Sequence, residues 1–164
     1  MRALDDLRYL ICQHGAEGVD LWDPYLSAED VLQTLFWSTS MGVPLRAITN
    51  GDEAMEQRSS GSSGAAYNEK QRNILQANCG NTLGLNLEFR VRSGPAGWSF
   101  HDRFLIFPNS PDGPLAWSLG TSVNSLGKAH HILQKVSNAA LIAGAFQSLW
   151  FELNKEHHLI WSSR

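Results

Sequence analysis

Residues 18–49 carry the pattern that most restricts the fold of this chain. Gly18-Val19-Asp20-Leu21-Trp22 reads as a strand stopped by Asp23-Pro24, because the proline ring cannot continue a hydrogen-bonded ladder. Ser27 followed by Asp30 is an N-cap signature. It opens a predicted helix with Val31, Leu32, Leu35 and Phe36 along one side, closed near Met41-Gly42, and Val43 to Thr49 is a second buried strand. This strand–helix–strand succession is a βαβ unit, which requires parallel pairing and a right-handed crossover.

The remaining elements follow from the same reasoning. Leu4, Leu7, Leu10 and Ile11 form a helical stripe over Leu4–Gln13, ended by His14-Gly15. Asn50 to Ala66 holds Ser59-Ser60-Gly61-Ser62-Ser63-Gly64 and almost no large apolar residue, which predicts a flexible surface loop over about 50–66. Tyr67 to Cys79 reads as a polar-faced helix and Leu85 to Val91 as a strand, and Gly94-Pro95-Ala96-Gly97 is a turn into a further apolar strand that begins at Phe100. Leu115 to Leu119 is the strand after that. From Asn138 to Leu159 the apolar spacing is helical again, with Asn138 available as a cap.

At 164 residues, 43% hydrophobic and 18% charged, the chain is expected to form one soluble domain over residues 1–164. It has no run of 18 apolar residues and no signal-peptide pattern, which excludes a membrane span and makes the cytoplasm the default location. Cys12 and Cys79 lack metal-type spacing and are expected to be buried free thiols. A net charge of −3 argues against a broad nucleic-acid-binding surface. Arg90, Arg92 and Arg103, set against Glu88 and Asp102, leave room for a local basic groove, and Arg90 and Arg92 read equally well as the solvated face of a strand. His130-His131 and His157-His158 lack carboxylate or cysteine companions, so no metal site is expected. Trp22, Trp37, Trp117, Trp150 and Trp161 suit core packing, whereas Trp98, in a Gly-rich turn three residues before His101, could stack on a base.

Chemistry concentrates in two runs, Phe100-His101-Asp102-Arg103-Phe104-Leu105-Ile106-Phe107 and Leu119-Gly120-Thr121-Ser122-Val123-Asn124-Ser125-Leu126-Gly127-Lys128. If the first is a strand throughout, His101 and Arg103 share a face while Phe104 and Ile106 face the opposite layer. An imidazole beside a guanidinium suits phosphate chemistry. The first supplies a nucleophile or general acid/base near neutral pH, and the second holds non-bridging phosphoryl oxygens.

These runs resemble the signature of the phospholipase D-like phosphodiesterase superfamily, H-x-K-x4-D and then G-S-x-x-N. His101, Arg103, Gly120, Thr121 and Asn124 match in order, with Arg for Lys and Thr for Ser. Pro108 stands at the Asp position, and the gap before Gly120 is five residues longer, filled by the turn-forming Asn109-Ser110-Pro111-Asp112-Gly113-Pro114. The longer string is similar to a branch found in prokaryotic nucleases and defence-associated proteins, and the strand, D-P-Y-L-S and helix opening also looks like many phospholipase D-like domains.

The resemblance implies an α/β domain, a mixed β-sheet flanked by helices on both faces. It also implies metal- and cofactor-independent hydrolysis in which one His101 forms a phosphohistidine and a second protonates the leaving oxygen. Because the chain holds a single motif copy, a homodimer is implied, with the two His101 residues close together. Arg103 and Asn124 would stabilise charge on the equatorial oxygens, and Thr121, Ser122, Lys128, Trp98 and Arg92 would contact substrate. Two function classes follow. The first is a phosphodiesterase, a nuclease acting on DNA or RNA with no membrane partner. The second is a non-catalytic nucleic-acid-binding or protein-interaction module in a larger, defence-type complex, to which Pro108 and the Arg-for-Lys exchange point.

Overall fold

The computed structural model describes residues 2–51, 64–78, 80, 84–126 and 133–163. Strands β1 (Val19–Trp22) and β2 (Pro44–Asn50) run parallel, with Val19 to Trp22 opposite Leu45 to Ile48, and α2 (Ala28–Gln33) joins them as the βαβ pattern requires. The Ser27 hydroxyl accepts the Asp30 backbone N–H at 3.3 Å, and the Asp30 carboxylate accepts the Ser27 N–H at 2.9 Å. This reciprocal cap satisfies two N-terminal donors that the helix itself cannot. The helix is shorter than its apolar stripe predicts. Thr34 leaves helical geometry at ψ −80° and turns its hydroxyl onto the Asp30 carbonyl at 2.7 Å, so that Leu35–Trp37 continue as a 3-10 turn.

A helix over Arg2–His14, α1, precedes this unit, and α3 (Gly64–Ala77) leads to β3 (Asn86–Arg92), which runs parallel to β2. β4 (Phe104–Phe107) lies antiparallel on the other side of β1 and pairs with β5 (Leu115–Ser118). β6 (Gln134–Lys135), α4 (Ala139–Glu152) and β7 (Leu159–Ser162) complete the described elements. The result is a seven-stranded mixed sheet in the order β6-β5-β4-β1-β2-β3-β7.

Alternation along each strand feeds two cores. Leu21, Leu45, Phe89, Leu105 and Phe107 face α1, α2 and α3 through Leu7, Ile11, Val31 and Leu75. Trp22, Ile48, Phe104 and Ile106 face α4 through Ile142, Phe146, Leu149 and Trp150. Each fully buried phenylalanine contributes about 1.5–3 kcal/mol relative to exposure. The sheet is therefore covered by helices on both sides, which makes the domain α/β. Inside the α4 layer the Asp20 carboxylate, 1% exposed, takes two hydrogen bonds from Arg46 at 2.8 and 2.9 Å. That guanidinium also lies over the rings of Phe146 and Trp150, at 5.3 and 5.2 Å. Among the described residues no helix is long and apolar enough to cross a membrane.

Several expectations change. β4 starts at Phe104 and not at Phe100, so His101 and Arg103 precede the strand. Its partner β1 ends at Trp22, opposite Phe104, and the chain then turns at Asp23-Pro24, so the β1–β4 ladder stops before residues 101–103. Asn50 and Gly51 are buried at the end of β2 and α3 already begins at Gly64, so of the loop predicted over 50–66 only residues 52–63 lie outside the described part. α4 stops at Glu152, and its N-cap residue Asn138 makes no side-chain capping bond. The helical spacing read through to Leu159 instead ends in a 3-10 turn over Glu156–His158 and an unpredicted strand, β7, antiparallel to β3. Cys12 is exposed, on the flank of α1 away from Leu7 and Ile11, and Cys79 is outside the described residues.

Candidate functional site

Because β1, β2 and β3 run parallel and β4 is antiparallel to them, the carboxyl ends of the first three and the start of β4 share one rim of the sheet. In open α/β sheets that rim is where ligands bind. Asp23 follows β1, Asn50 and Arg92 end β2 and β3, Arg103 precedes β4, and Gly120 to Asn124 follow β5.

Two contacts assemble the site. Beyond the last β4–β5 pair, Phe104 with Ser118, the Leu119 N–H donates to the Arg103 carbonyl at 3.1 Å. Gly120 then turns the chain at φ +70°, a conformation that favours glycine because it has no Cβ. Thus the segment holding His101 and Arg103 and the turn holding Thr121 to Asn124 are bound side by side. The second contact comes from Asp23. Its buried carboxylate accepts the Val123 N–H at 2.7 Å, the Ser122 hydroxyl at 2.8 Å and the Tyr25 N–H at 2.9 Å. Burial pushes the Asp23 carboxyl above the ordinary aspartate range, and the opposing pull comes from those three hydrogen bonds and the charge of Arg103.

Arg103 is half-buried, with its guanidinium 5.6 Å from the centre of the Tyr25 ring. Its Nε is buried and has no hydrogen-bond partner among the described residues. His101 is exposed three residues ahead of β4, and Asp102 is exposed beside it. Thr121 and Asn124 are half-buried, the Asn124 carboxamide oxygen accepting the Ser125 hydroxyl at 3.0 Å. Trp98 is 38% exposed in the turn before His101.

Other expected substrate contacts face elsewhere. Arg92 is buried, and its guanidinium donates to the carbonyls of Gly94 and Ala96, at 2.6 and 3.2 Å. It fastens the Gly94-Pro95-Ala96-Gly97 turn. Ser122 is buried with its hydroxyl on Asp23, and Lys128 lies outside the described residues, as do His130 and His131. Arg90, grouped with Arg92 and Arg103 by charge, instead pairs with Glu88 at 2.7 Å and stacks on Trp150 at 3.8 Å in the α4 layer. No group of three or more His, Cys, Asp or Glu among the described residues is arranged to hold a metal ion.

Sequence reasoning missed Asp23 and Tyr25, since Asp-Pro after a strand reads first as a stop. It also missed the far side of the rim, where Asn50 is fully buried and donates through Nδ2 to Ser99 at 3.2 Å. The Asn50 Oδ1 and Trp22 Nε1 atoms there have no hydrogen-bond partner among the described residues. No protein-family model matches the chain, and no curated protein matches it.

Proposed function

We propose that this protein is a metal-independent phosphodiesterase of the phospholipase D-like type, a nuclease acting on DNA or RNA as a cytoplasmic homodimer. The observation that supports this reading is the Leu119–Arg103 backbone hydrogen bond, which holds the segment carrying His101 and Arg103 alongside the Gly120–Asn124 turn at the carboxyl-end rim of the sheet. The mixed sheet with helices on both faces agrees with it.

In this reading one His101 attacks phosphorus and the bond to the leaving oxygen breaks, that oxygen taking a proton from the His101 of the second subunit. The latter then removes a proton from water, whose oxygen displaces the first imidazole and restores both groups. Arg103 and Asn124 stabilise negative charge that builds on the equatorial oxygens. Trp98 gives a flanking base a stacking surface.

A second reading, a non-catalytic nucleic-acid-binding or interaction module in a larger complex, is favoured by Pro108 and by the internal use of Ser122 and Arg92. Purified protein, incubated in EDTA with single- and double-stranded DNA, RNA and bis(4-nitrophenyl) phosphate, separates the two. Cleavage by the wild type that His101→Ala abolishes, with the fold intact by circular dichroism, supports the enzyme. Binding without cleavage supports the module, and cleavage retained by folded His101→Ala rules out this nucleophile.

A further inference from the structure

We propose that Asp23 is a positioning residue of this site, holding the Ser122–Asn124 turn and the Arg103 guanidinium in register and acting on a phosphodiester only through them. The inference rests on the phosphodiesterase reading for its kinetic arm, but not for its spectroscopic one. Asp23 is 0% exposed, so it touches no substrate itself. What it does is join three pieces of the rim.

The first is the turn after β5. Val123 N–H and the Ser122 hydroxyl, from residues 100 and 99 positions away in sequence, converge on one carboxylate at 2.7 and 2.8 Å. Those bonds fix where Asn124 leaves the turn. The second is Tyr25, whose N–H donates to Oδ1 of the same carboxylate at 2.9 Å, closing a short local turn at Asp23-Pro24-Tyr25. The Tyr25 ring is in turn the surface 5.6 Å from the Arg103 guanidinium. The third is Arg103 itself, half-buried against that ring, its buried Nε without a hydrogen-bond partner among the described residues.

That combination suits a positioning role better than a simple tie between loops. A tie needs only acceptors, which an amide or hydroxyl could share out. Here the shared acceptor is a buried carboxylate that also sets the Tyr25 turn, and the guanidinium over the Tyr25 ring keeps a buried Nε with no hydrogen-bond partner among the described residues, available to a phosphoryl oxygen. Pre-arranged charge of this kind lowers reorganisation when a transition state develops.

Asp23→Asn tests the idea, since it keeps the shape and one acceptor oxygen while removing the charge and the acceptor for one backbone N–H. Ser122→Ala is the milder companion variant, removing one bond and no charge. In arginine side-chain NMR spectra the Arg103 Nε–H, assigned by its loss in Arg103→Lys, is expected to be protected from exchange in the wild type and to shift and exchange faster in Asp23→Asn. In steady-state hydrolysis of bis(4-nitrophenyl) phosphate, Asp23→Asn is expected to lower kcat by about 100-fold with KM nearly unchanged. The same substitution in an Arg103→Lys background should cost much less, because both changes act on one group.

An unchanged Arg103 signal in folded Asp23→Asn overturns the proposal, as do kinetic losses that simply add in the double variant. If Asp23→Asn does not fold, Ser122→Ala decides: an Arg103 signal moved in the same direction supports positioning, and an unmoved one overturns it. A wild type that cleaves nothing refutes the phosphodiesterase reading alone, leaving the spectroscopic result to judge Asp23.

Discussion

The carbonyl of Arg103 accepts the N–H of Leu119 at 3.1 Å, one step beyond the last ladder pair of β4 and β5. This bond ties the residues that would act on a phosphate to the turn that would receive it, and it uses only backbone, so side chains at 103 can be exchanged without undoing it.

Substitution at Arg103 should therefore report on chemistry. In the enzyme reading Arg103→Ala is expected to lower kcat by about 10²–10³, the scale set by removing one donor to developing charge, with a smaller change in KM. Arg103→Lys should keep part of the activity, since it supplies charge without the planar fork. Equal, small losses of oligonucleotide affinity in both variants, with no turnover in the wild type, would instead describe a binding module.

Assembly is the next test. The single motif copy calls for a dimer, and of the exposed large apolar side chains Trp98 lies in the turn leading to His101, whereas Leu141 and Phe151 lie on the outer side of α4. Analytical ultracentrifugation at micromolar concentration should show a dimer that Trp98→Glu dissociates, with loss of cleavage, and that Phe151→Glu leaves intact. The reverse pattern would put the interface on α4 and remove the two-histidine mechanism.

Stability should depend strongly on the buried Asp20–Arg46 pair. Asp20→Ala strands the Arg46 guanidinium between sheet and α4, and urea denaturation should register a loss of about 3–5 kcal/mol. Replacing both residues by leucine and methionine should recover much of it, because no unpaired charge then remains in the layer.

His158 predicts a pH dependence. It is 1% exposed with Nδ1 2.9 Å from the Val91 carbonyl. Its pKa lies below the ordinary value of 6.5, first because burial disfavours the imidazolium, with His157, Lys155 and Arg90 adding repulsion against the pull of the Val91 carbonyl. The unfolded chain then binds the proton more tightly, so this contribution to stability is complete above pH 6.5 and declines as pH falls below it. Thermal melts of His158→Gln between pH 5 and 8 should show a flatter profile than the wild type.

Much of the fold was legible where local chemistry and tertiary need agree. The Ser27–Asp30 cap, the Asp23-Pro24 stop and the apolar runs of β1 and β2 each say the same thing, and the βαβ unit follows. The end of α4 was not legible, because Leu153 closes it with neither glycine nor proline and the apolar spacing runs on into β7, where pairing with β3 decides the conformation. Among site residues, His101 and Arg103 stood out by type and spacing. Arg92 and Ser122 have equally suitable side chains, and only the folded chain shows that backbone carbonyls and Asp23 have claimed them. Asp23 was hidden because a carboxylate before proline is ordinary turn chemistry, and its partners come from the other end of the chain.

The pairing of β3 with β7 also bears on synthesis. Leu87 bonds to Ser163 across 76 positions, and β7 forms one edge of the sheet. At typical elongation rates of about 5–20 residues per second, the segment that becomes β3 is made roughly 4–15 s before its outer neighbour exists. During that interval the growing chain carries a strand whose outer side is still unpaired, an open edge that could pair with another chain until β7 emerges to cover it.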